Sequence, residues 1–134
     1  MSEVHSDDPW LSVTWDGEHR CVHAEWKAFA NSSELRLGGK KILEAIRSHN
    51  ATSLVSDNRR LEVMKGDDQS WYSDVWTPMA VEAGLRRIAV VLAPQGMGRF
   101  ASEEILSRIG NRDFATRTFE SVPDALEWIA APPG

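Results

Sequence analysis

The stretch RRIAVVLAP, Arg86 to Pro94, constrains the fold of this chain more than any other. From Ile88 to Ala93 it carries no polar residue. A strand with one wet face would alternate apolar and polar residues; a short unbroken apolar run reads as a strand covered on both sides. Such strands belong to parallel sheets, and a parallel neighbour is reached only through a crossover connection, usually a helix. The flanking patterns supply the parts. TSLVSD, from Thr52 to Asp57, is a second short apolar run. Between the two lies a helical pattern from about Asp68 to Ala83, with Trp71, Val75 and Met79 on one stripe and Trp76 widening it. Asp67 is a natural cap, Asp68 favours the first turn through the helix dipole, and Gly84 suits the C-terminal end. Pro78 removes a backbone donor and predicts a bend.

Before this unit, Leu11, Val13 and Trp15 alternate with polar residues, Asp16-Gly17 gives a turn, and RCVHAEW returns with Val22, Ala24 and Trp26 on one face. That is the pattern of an antiparallel hairpin. In ANSSEL, Asn31 or Ser32 caps a helix and Glu34 closes a capping box; Leu35, Ile42, Leu43 and Ile46 form its stripe out to about His49. Gly38-Gly39 inside this helix costs about 1 kcal/mol per glycine against alanine. A weak first turn, a close approach to the sheet and a break near Leu37 all account for the pair. After Pro94 the pattern predicts a helix over Ser102 to Ile109, a strand in FATRTFES, and a last helix capped by Ser121 with Ala125, Leu126, Trp128 and Ile129 facing inward. The expected order is β-β-α-β-α-β-α-β-α. This is an α/β fold: an opening antiparallel hairpin followed by βα units, with a mixed, mostly parallel five-stranded sheet and about four helices. Residues 1–9 are expected to form a disordered acidic leader, and 10–131 a single domain.

The length of 134 residues suits one domain. The net charge of −5 argues against nucleic acid or an anionic membrane as partner. No window approaches the roughly 18 apolar residues that span a bilayer. A single cysteine, Cys21, excludes an internal disulfide, and the polar, acidic start lacks a signal-peptide pattern. The expected location is cytoplasmic. Arg86, Arg87, Arg99, Arg108, Arg112 and Arg117 all fall from residue 86 onward, either as solvated faces or as a local anion-binding face.

HAEWKAFA (His23 to Ala30), SDNRRL (Ser56 to Leu61), the segment from Asp67 to Val91 and TFESVPDALEWI (Thr118 to Ile129), taken in this order, resemble the STAS-like (SpoIIAA-like) superfamily, in its small bacterial single-domain branch. The resemblance covers about Trp10 to Ile129. It implies the same opening hairpin and repeated α/β units, and a regulatory module that works by protein contact. Anti-sigma factor antagonists of that superfamily carry a phosphorylatable Ser or Thr directly after an Asp. The matching acid here is Asp57, and Asn58 follows it, so the resemblance carries the fold and no phosphorylation switch at that position.

Asp57 and Arg59, at the carboxyl end of a strand, read either as a structural clamp or as a contact for an anion or partner. Cys21, His23 and Glu25 share one strand face. They span about 13 Å at about 3.3 Å per residue, too far to close on one ion, so no metal or other cofactor is expected. PQGMGRF, Pro94 to Phe100, follows the best strand with glycines but matches no phosphate-loop pattern; it reads as a connection, with Arg99 the charge partner if an anion sits there. Six tryptophans are the unusual feature. Trp15, Trp26 and Trp128 fit buried faces. Trp71, Tyr72, Trp76 and Met79 crowd one helix, either as core or as an aromatic contact patch. The expectation is a non-enzymatic interaction module contacting a protein partner or a second copy through Trp71, Tyr72, Trp76, Met79, Asp57 and Arg59. The alternative is a carrier of a small apolar or anionic ligand, with a pocket lined by the Trp71–Met79 helix and Arg59 or Arg99 on the head group.

Overall fold

The computed structural model describes residues 2–61, 64–93 and 115–131. Its six strands are β1 (Ser2–Asp7), β2 (Leu11–Asp16), β3 (Cys21–Trp26), β4 (Ser53–Asp57), β5 (Arg87–Val91) and β6 (Ala115–Phe119). They form one mixed sheet in the order of the sequence. β1, β2 and β3 are antiparallel neighbours; β4, β5 and β6 each run parallel to the strand before. The fold class is therefore α/β as expected, with two corrections. The sheet has six strands rather than five, because Ser2–Asp7, read from sequence as a disordered leader, pairs with β2. Polar alternation in SEVHSD hid this strand, which lies at an edge with Val4 67% exposed and buries little. Its register shifts between Val4 and Ser6, a bulge of the kind that keeps an edge from templating further strands.

The helices are α1 (Ser32–His49), a continuous helical stretch made of α2 (Gly66–Trp71), a π turn (Tyr72–Trp76) and α3 (Thr77–Glu82), and α4 (Val122–Ala130). The helix expected over 102–109 lies outside the described residues, as do Arg99, Arg108 and Arg112. α1 opens with the expected capping box: the Glu34 N–H donates to the Asn31 side chain and the Asn31 N–H to the Glu34 carboxylate. Ser121 caps α4, accepting from the Asp124 N–H. Gly84, at φ +113°, ends α3.

Pro78 stands just after a π turn. It has no N–H to give the Asp74 carbonyl one turn back. The backbone widens just ahead of it, and the Tyr72 carbonyl accepts from both the N–H and the hydroxyl of Thr77. A π turn of this kind absorbs one extra residue and rotates the stripe that follows it.

One core lies between the sheet and the first two helical units. It joins Leu11, Val13, Val22, Trp26, Leu54, Ile88 and Val90 to Leu35, Ile42 and Ile46 of α1 and to Trp76 and Ala80. A smaller core on the other face joins Cys21, Val55, Ala89 and Val91 to Ala125 and Ile129 of α4. β5 is thus covered on both faces, as its apolar run required. Successive right-handed crossovers between parallel neighbours put their helices on one face, and α4 closes the other.

α1 is unbroken at Gly38-Gly39, so close approach is the reason for the pair. A Cβ on Gly38 would lie 2.6 Å from the Trp26 ring and 2.8 Å from Leu11. One on Gly39 would lie 2.9 Å from both the Trp71 ring and the Tyr72 hydroxyl. The two glycines let α1 settle on the sheet and let the second helix settle on α1. Gly38→Ala is expected to lower stability by about 1–2 kcal/mol, because overpacking of fixed rings exceeds the helix-propensity gain of about 1 kcal/mol. The check is a urea unfolding midpoint that falls with the slope unchanged.

Candidate functional site

Asp57 ends β4, a strand flanked on both sides by parallel neighbours. The residue is 4% exposed. Arg59 turns back over it: Nε donates to Oδ1 at 2.9 Å and Nη2 to Oδ2 at 2.7 Å, while the Arg59 backbone N–H adds a third bond to Oδ1 at 3.2 Å. Burial alone would raise this carboxyl. The Arg59 fork, its backbone N–H and its charge, with His23 adding its own, outweigh burial and hold Asp57 below the usual carboxylate value. This is the clamp reading of SDNRRL. All bidentate geometry is used inside the chain, and Arg59 keeps 44% of its side chain in solvent.

The aromatic helix is also committed inward. Trp76 is 5% exposed, and its Nε1–H donates to the Gly39 carbonyl at 2.7 Å. The Tyr72 hydroxyl donates to the Leu35 carbonyl. Trp71 meets the edge of Tyr72 at 4.9 Å between centroids, and Arg36 lies over the Trp71 ring at 5.7 Å. Asp68, buried on the same helix, accepts from the Ser32 hydroxyl at 2.7 Å and from Arg36 Nε at 3.2 Å. Asp68 thus acts across the interface with α1 and not only on its own first turn. α2 begins at Gly66, one residue before the cap expected at Asp67, and Lys65 stands at the cap without a side-chain bond.

Of the expected contact residues, the structure brings Tyr72 and Trp76 into the α1 interface and leaves Trp71 and Met79 partly buried at its margin. Val75, between them on the same stripe, is 44% exposed. Of the three, Val75 alone is exposed; Trp71 and Met79 pack against the core and keep part of their surface in solvent. Asp57 and Arg59 lie at the strand end and pair with each other. Arg99 lies outside the described residues. Sequence reasoning placed Val75 on the apolar stripe but did not single it out. The π turn has no composition signal beyond Pro78.

Cys21, His23 and Glu25 do share a face, and no cluster of ligating side chains able to hold a metal occurs among the described residues. Burial, with the nearby Asp16 charge, pushes the Cys21 thiol up to about 12, which removes its nucleophilic form at neutral pH. Asp16 accepts from the backbone of Glu18 and His19 and meets the His19 ring at 2.8 Å, fixing the β2–β3 turn.

The class these features define is a mixed-sheet α/β protein whose described buried carboxylates, Asp57 and Asp68, are paired inside the chain. No helix among the described residues is long and apolar enough to cross a membrane. No protein-family model matches the chain, and comparison with curated proteins gives no match.

Proposed function

We propose that this protein is a non-enzymatic regulatory module of the STAS-like kind, acting in the cytoplasm of a bacterium by docking a partner protein on the Trp71–Val75–Met79 edge. The observation that carries the reading is the 44% exposure of Val75 between two large apolar neighbours on a helix whose other aromatics are sealed against α1. Exposed apolar area of this kind, with Arg36 lying over the Trp71 ring beside it, is what a protein interface desolvates. The internal pairing of Asp57, Asp68 and Asp16 also favours contact over catalysis, since an acid–base centre needs a group free to exchange protons with substrate. The carrier reading is less favoured because Tyr72 and Trp76 turn their polar atoms onto α1 carbonyls rather than toward a ligand.

The test is a photo-crosslinking amino acid at position 75 in cells producing the full chain. A discrete protein adduct is expected, lost when Met79→Glu is added and retained with Glu44→Lys on the exposed side of α1. An adduct of twice the chain's mass identifies the partner as a second copy. No adduct, or one indifferent to Met79→Glu, overturns the surface.

A further inference from the structure

β1 is joined to the body of the protein mainly through its backbone. No described residue of β1 belongs to either buried cluster, and Val4 is 67% exposed. Two polar contacts tie its side chains to other elements: Lys27 Nζ meets Asp7 at 2.7 Å, and His5 lies 3.7 Å from Glu44. Both are open to water, where such pairs add little. The ladder to β2 is what holds the strand. β2 is built differently. Leu11 and Val13 are fully buried, and its six residues pair with β3 without a bulge, from Leu11 opposite Trp26 to Asp16 opposite Cys21. β2 therefore stays in place when β1 leaves it, and presents a regular edge that needs a strand.

The connection between the two strands is a second, independent observation. Asp8 and Leu11 exchange both backbone bonds: the Asp8 N–H donates to the Leu11 carbonyl at 2.8 Å, and the Leu11 N–H to the Asp8 carbonyl at 3.3 Å. The hairpin loop is thus the pair Pro9-Trp10. Two-residue loops that match the twist of their strands are types I′ and II′, and both need a positive φ at the first loop residue. A proline ring fixes φ near −65°. The positive φ values of non-glycine residues fall at Arg20 and Asn50, not in this loop. Pro9 therefore denies the hairpin its matching turns, and the turns that remain splay the strands. In an extended connection the same proline fits, and it drives the residue before it, Asp8, toward extended backbone. Short hinge loops under strain favour exchange of the element they carry.

We infer that two copies of this chain exchange β1, the strand of each pairing with β2 of the other, with Pro9 as the hinge. The occupant of the β2 edge has the same sequence before and after exchange, so the ladder and the Lys27–Asp7 pair re-form between copies. Both buried cores stay as they are, because β1 contributes to neither. Trp10 stacks on Trp26 at 6.2 Å and lies under Lys41, which pins the far side of the hinge to its own body. Reciprocal exchange closes at two copies and does not grow into a filament. The inference concerns the sheet edge and does not rest on the docking helix.

The experiment mixes full chains labelled with heavy nitrogen and full chains labelled with heavy carbon, unfolds them together in urea, refolds them at NMR concentration and separates the products by size. A dimer is expected, with nuclear Overhauser contacts between the Val4 amide of one label and Thr14 of the other, residues that face each other in the ladder. Pro9→Gly allows a type II′ turn and should weaken dimer formation about tenfold. Pro9 is exposed, so this variant keeps its fold, checked by circular dichroism, and the contacts between labels in the parent need no variant at all. Met79→Glu should leave the dimer intact. A chain that stays monomeric, a dimer without β1–β2 contacts between labels, an equal dimer fraction in Pro9→Gly, or a dimer lost on Met79→Glu overturns the proposal.

Discussion

Trp76→Ala is expected to lower the stability of this protein by about 3–5 kcal/mol, a fall in melting temperature of roughly 10–20 °C. The indole is 5% exposed and lies between the sheet core and α1, so its removal leaves a cavity that rigid neighbours close only in part. The change also deletes the 2.7 Å bond to the Gly39 carbonyl. Trp76→Phe separates the two effects. It keeps most of the ring and loses the N–H, and a loss of about 1–2 kcal/mol is expected. Urea denaturation followed by circular dichroism reads both. A Trp76→Ala protein as stable as the parent would mean that the ring is not part of the core. A binding assay on Trp76→Ala would report unfolding as lost association, which is why the docking test belongs at position 75 with Met79→Glu.

Arg59→Ala carries the second large effect. It strands the carboxylate of Asp57, a residue 4% exposed, without its cation. Breaking a fully buried pair costs about 3–5 kcal/mol; with Arg59 44% exposed to screening water, about 2 kcal/mol is expected here. Asp57→Ala/Arg59→Ala should cost less than the sum of the single changes, because the double change leaves no buried charge unpaired. The pH dependence follows from the depressed carboxyl. The folded value lies below the unfolded one, near 4, so the stabilisation is fully present above the unfolded value and is lost as pH falls through the folded one. The parent should therefore lose stability more steeply below about pH 4 than Arg59→Ala does. Parallel acid profiles would place the pair outside the energetics of folding.

The fold was legible where burial writes a period into the sequence. The apolar run of β5, the β2–β3 alternation with Asp16-Gly17 between, and the caps at Asn31 and Ser121 each state their structure locally, and each is found in place. β1 was not legible, since an edge strand with polar side chains on both faces carries no hydrophobic period. The π turn was legible only as a disturbance at Pro78. At the candidate site, the clamp was readable because Asp57 and Arg59 stand two residues apart on one loop. The use of Tyr72 and Trp76 was not, because their partners, the carbonyls of Leu35 and Gly39, are 37 residues away and backbone groups leave no mark in composition. Gly38-Gly39 was the available clue: a glycine pair inside a helix is tolerated where something large lies against it.

The central claim is that the aromatic helix seals Trp76 on its inner side and leaves Val75 exposed, flanked by the partly exposed Trp71 and Met79. The most direct measurement is fluorine NMR of 5-fluorotryptophan-labelled protein with a soluble paramagnetic agent, the six signals assigned by single Trp→Phe changes. The account predicts that the Trp76 signal stays sharp while Trp71 broadens. Equal broadening of the two would contradict it.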